Sequence, residues 1–168
     1  MQTWFEFYSV MAGAAATLMG LLFVAVSINA AAILSERHRN SKRIAEQAFQ
    51  NYLAVLMVSL LALFPTLKTS ELGACTLAVT AVWGAWVLVR LYLALTGPYE
   101  PGMRRHALRR QFSSFLGFGI LIYAASRMAS GVDDSRNMFA AATIVLLFSA
   151  TTVSWQLLLK IAAAEMGP

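Results

Sequence analysis

Charge is scarce in this chain: 12% of its 168 residues are Asp, Glu, Lys or Arg, against roughly 25% for an average soluble domain. Cysteine occurs once, at Cys75, which excludes a scaffold built on disulfides. Glycine has no period, so a collagen-like chain is excluded, and 59% hydrophobic residues exclude intrinsic disorder. Recognisable chemistry is missing as well: no G-x-S-x-G, H-E-x-x-H or Gly-rich phosphate loop occurs. The two histidines, His38 and His106, lie in basic segments without a nearby cysteine, too few for an ordinary zinc or haem site. Asp133 and Asp134 adjoin in GVDDSRN, where paired acids read as a turn. No catalytic residue, metal or cofactor is expected, and an enzyme is unsupported. What is present is apolar surface, with a mean hydropathy of +0.65. One soluble core of this size cannot hide that much, which leaves a polytopic membrane protein.

About 20 apolar residues cross a ~30 Å hydrocarbon core as a helix. Five stretches meet or approach that length, over about 8–34, 47–67, 72–95, 112–129 and 137–164. Backbone amides in lipid must be satisfied within each segment, and the alternating pattern of barrel strands is absent. The expected fold is therefore all-α: a single five-helix transmembrane bundle over residues 1–168. The first stretch is too long for a signal peptide and has no basic residue before Arg37, so it reads as a retained span.

The basic residues divide unevenly between the two ends of these spans. Arg37, Arg39, Lys42 and Arg43 follow the first, and Arg104, Arg105, Arg109 and Arg110 precede the fourth. Arg90 and Lys160 lie on the same side, making ten of 13. Lys68, Arg127 and Arg136 lie on the other, while acidic residues split four and four. The positive-inside rule then puts the N-terminus outside and the C-terminus in the cytoplasm, in agreement with an odd number of spans. The pI near 9.8 follows from this basic rim facing anionic headgroups, and no nucleic-acid partner is expected. Trp4, Phe5, Phe7 and Tyr8 at the outer entrance, with Tyr92 and Tyr99 near the cytoplasmic end of the third span, suit interfacial belts.

Close backbone approach and interhelical hydrogen bonds hold membrane helices together, because lipid tails are as apolar as leucine. Gly13, Thr17, Gly20 and Ser27 trace a small-residue stripe on the first helix and read as a packing surface, internal or between copies. Thr76, Thr80 and Gly84 do the same on the third. Span centres contain no ionisable side chain, which argues against proton-coupled transport. The densest polar cluster opens the second helix: Arg43, Glu46, Gln47, Gln50 and Asn51 recur at three- and four-residue steps and share a face. Asn29 lies at similar depth, within reach of a bond across to them. The cluster reads as an interhelical clamp, a cytoplasmic vestibule or a docking face. A second polar line, Ser149, Thr152, Gln156 and Lys160 on the fifth helix, is a candidate cavity or pore lining. Serine and threonine often bond their own helix's carbonyls, so the amide and the ammonium carry that reading.

GAAATLMGLLFVAVSIN (Gly13–Asn29), the charged segment after it and the LLALFP near the end of the second helix resemble small multi-span bacterial proteins of unknown function. Some of these carry the label modulator of FtsH protease. The likeness covers the N-terminal third and implies a bacterial inner membrane. The expected function is a non-enzymatic accessory, scaffold or regulatory subunit, in contact with lipids and with other membrane subunits or copies of itself. A homo-oligomeric pore and a lipid- or small-molecule-handling protein are the alternatives.

Overall fold

The computed structural model describes residues 2–30, 39–96, 101–131 and 135–165, and the side chains of 3–30, 41–84, 114–131 and 135–162. The described residues form five α-helices: α1 (Gln2–Ile28), α2 (Arg39–Ala62), α3 (Thr69–Thr96), α4 (Pro101–Ala129) and α5 (Arg136–Glu165). No strand occurs among the described residues. Three segments are long and apolar enough to cross a membrane: Thr3–Ile28, Ser41–Ala62 and Arg136–Ala162; Ser114–Ala129 is a shorter apolar helix.

The helix limits differ from the hydropathy limits for local reasons. α1 begins at Gln2 rather than near 8, and residues 31–34 of the expected span lie outside the described set. α2 takes in RNSKRIAE ahead of its apolar run, where Lys, Arg, Ala and Glu all favour a helix. It ends at Ala62 rather than 67, because Pro65 disfavours helical geometry in the residue before it. Leu63 N–H still bonds Ser59 O at 3.0 Å as the chain leaves the helix. α3 opens on a capping arrangement in which Lys68 N–H donates to Glu71 Oε2 at 3.0 Å. α4 starts at Pro101 rather than 112, since proline at the first helical position lacks only an amide that would be unpaired anyway. MRRHALRR therefore belongs to the helix. α4 ends where Gly131 adopts φ +80° and donates to Met128 O at 3.0 Å. This left-handed cap is natural to glycine.

The chain divides into two compact units, one of Met1–Leu63 with Leu146–Pro168 and the other of Phe64–Val145. In the first, Leu22 of α1 joins Ile44, Ala48 and Tyr52 of α2 and Ala150, Val153, Leu157 and Ile161 of α5 in one core. Their three- and four-residue spacing gives each helix a single inward stripe. At the start of α1, Trp4 stacks on Tyr8 with centroids 6.2 Å apart, and Phe7 meets Tyr8 edge-on at 5.0 Å.

In the second unit α3 crosses α4 at backbone contact. A Cβ on Gly73 would lie 2.4 Å from Ala129 N, 2.7 Å from Ala125 O and 2.9 Å from Met128 C. Thr76 and Thr80 continue this face of α3, and Ser114, Leu121, Ala124 and Ala125 are buried on α4. The first turn of α5 is tied to the first turn of α3, with Arg136 Nη2 donating to Thr69 Oγ1.

Candidate functional site

The cluster at the start of α2 spans a gradient of burial. Arg43 is exposed, Glu46 and Gln50 are half-buried, and Gln47 and Asn51 are buried. Asn51, 2% exposed, donates from Nδ2 to Ser149 Oγ at 3.3 Å across to α5. Ser149 itself is 1% exposed. The two polar lines read from the sequence therefore meet at one pair of side chains. One position further along α2, Tyr52 O–H donates to Thr151 Oγ1 at 3.4 Å and accepts from Ser154 Oγ at 3.3 Å. These bonds are longer than the roughly 2.7–2.8 Å usual between hydroxyls, so each is weak. Together they place four α5–α2 polar side chains besides Tyr52 in one interhelical seam. Asn29 sits apart from that seam: its Nδ2 donates to Ala25 O at 3.0 Å, one turn back on its own helix.

The remaining members of the α5 line turn outward. Thr152, Gln156 and Lys160 are exposed while Ser149 is enclosed, so the four residues do not share one surface. Thr152 Oγ1 folds back onto Phe148 O at 2.9 Å and Thr151 Oγ1 onto Leu147 O at 2.9 Å. Threonines satisfied in this way can face lipid without penalty.

The stripe on α1 also lies on its open side. Gly13, Thr17, Gly20 and Ser27 are all exposed, and a Cβ at Gly13 or Gly20 would have nothing within 4 Å. The buried line of the helix is Tyr8, Met11, Ala12, Ala15 and Leu22. Within the chain, Tyr8, Met11 and Leu22 make the α1 contact together with Ala12 and Ala15, and Gly13, Thr17, Gly20 and Ser27 are left uncovered. On α3 Thr76 and Thr80 are buried, while Gly84, half-buried, would have nothing within 4 Å of a Cβ.

Tyr52, Gly73 and Ser59 are the positions that sequence reasoning passes over. Tyr52 follows Asn51 in the polar start of α2, the one available signal. Gly73 precedes Thr76 and Thr80 at helical spacing, which extends that small-residue line by one turn. Ser59 Oγ is buried without a hydrogen-bond partner among the described residues, as is Thr76 Oγ1; nothing in the sequence marks either. Among the described residues no group of three or more His, Cys, Asp or Glu is placed to hold a metal ion. His38, Asp133 and Asp134 lie outside the described residues, as do the side chains of His106 and Arg90. No family model, curated protein or solved structure matches the chain.

Proposed function

We propose that the protein is a five-span membrane protein of a bacterial inner membrane, N-terminus outside and C-terminus cytoplasmic, that acts without chemistry of its own as an accessory, scaffold or regulatory subunit. The uncovered face of α1 carries this reading. Only 22% of its membrane-spanning window is buried, against 50% for Ser41–Ala62 and 44% for Arg136–Ala162. A helix that faces lipid alone has no use for small residues, whereas a helix that receives another backbone does. The seam at Asn51 and Tyr52 supports the same view, since buried polar groups there bond to one another across α2 and α5. Midway along α5 the exposed Thr151 and Thr152 turn their hydroxyls onto backbone carbonyls, and Gln156 and Lys160 lie in its last three turns, which suits a bundle better than a continuous pore lining.

A photo-crosslinking side chain at Gly20, on the open face, tests the proposal in intact cells, with the same group at enclosed Ala15 as control. The expected result is a discrete adduct from Gly20 containing one other membrane protein, or a second copy of this chain. Lipid adducts alone would remove the subunit reading.

A further inference from the structure

We draw no further inference here: the strongest candidate, the uncovered face of α1 at Gly13, Thr17, Gly20 and Ser27, belongs to the surface already described, and nothing in the structure shows what covers it.

Discussion

Asn51 and Ser59 lie two turns apart on α2, both enclosed, with opposite consequences for stability. Asn51 has a partner across the helix interface in Ser149, and removing one side leaves the other buried. Interhelical polar pairs in membranes average about 0.6 kcal/mol and reach about 1.7 kcal/mol. A double-mutant cycle of Asn51→Leu and Ser149→Ala, measured by unfolding in detergent, should return a coupling in that range. A coupling of zero would mean that the contact holds nothing. Ser59 Oγ is buried without a partner among the described residues, and an unsatisfied hydroxyl costs roughly 1–3 kcal/mol. Ser59→Ala should therefore be neutral or stabilising in the same assay, and Thr76→Val likewise. A clear loss of stability in either would show that the hydroxyl has a partner outside the described residues.

Glycine separates the two kinds of helix surface at the scale of elements. Gly73 lies against the backbone of α4, where one added methyl has no flexible neighbour to displace. Gly73→Ala should cost about 1–3 kcal/mol or more, seen as a lower midpoint of detergent unfolding. Gly20→Ala meets open space and should be neutral or stabilising by up to about 1 kcal/mol, while Gly20→Leu should abolish the crosslinked adduct without unfolding the chain. The number and order of the helices are legible in the sequence, because each apolar run has to satisfy its own amides. Their limits at Arg39 and Pro101 are not, since hydropathy counts arginine against a span although arginine favours a helix. Partnership is harder still to read. The stripes on α1 and α3 are chemically alike, yet the first is open and the second is closed at Thr76 and Thr80, because spacing identifies a face and cannot identify what covers it. Asn51 stands out in the sequence as an amide among leucines. Its partner, ninety-eight positions away, becomes visible only in three dimensions.

For the whole molecule, the proposed orientation is set by ten basic residues on one side of the spans and three on the other. A reporter fused after Pro168 should be active in the cytoplasm, and a cysteine placed at Lys42 should be protected from an impermeant reagent added to intact cells. Periplasmic activity of the fusion would reverse the topology. α5 is the one helix shared between the units, its first turns belonging to Phe64–Val145 and the rest to the unit that also holds the first 63 residues. During synthesis, α1 and α2 leave the ribosome long before α5 exists. At about 5–20 residues per second, the 98 positions from Asn51 to Ser149 take roughly 5–20 s to make. For that interval the hydroxyls that Asn51 and Tyr52 bond on α5 are not yet translated, and a helix made early is completed only by one made late.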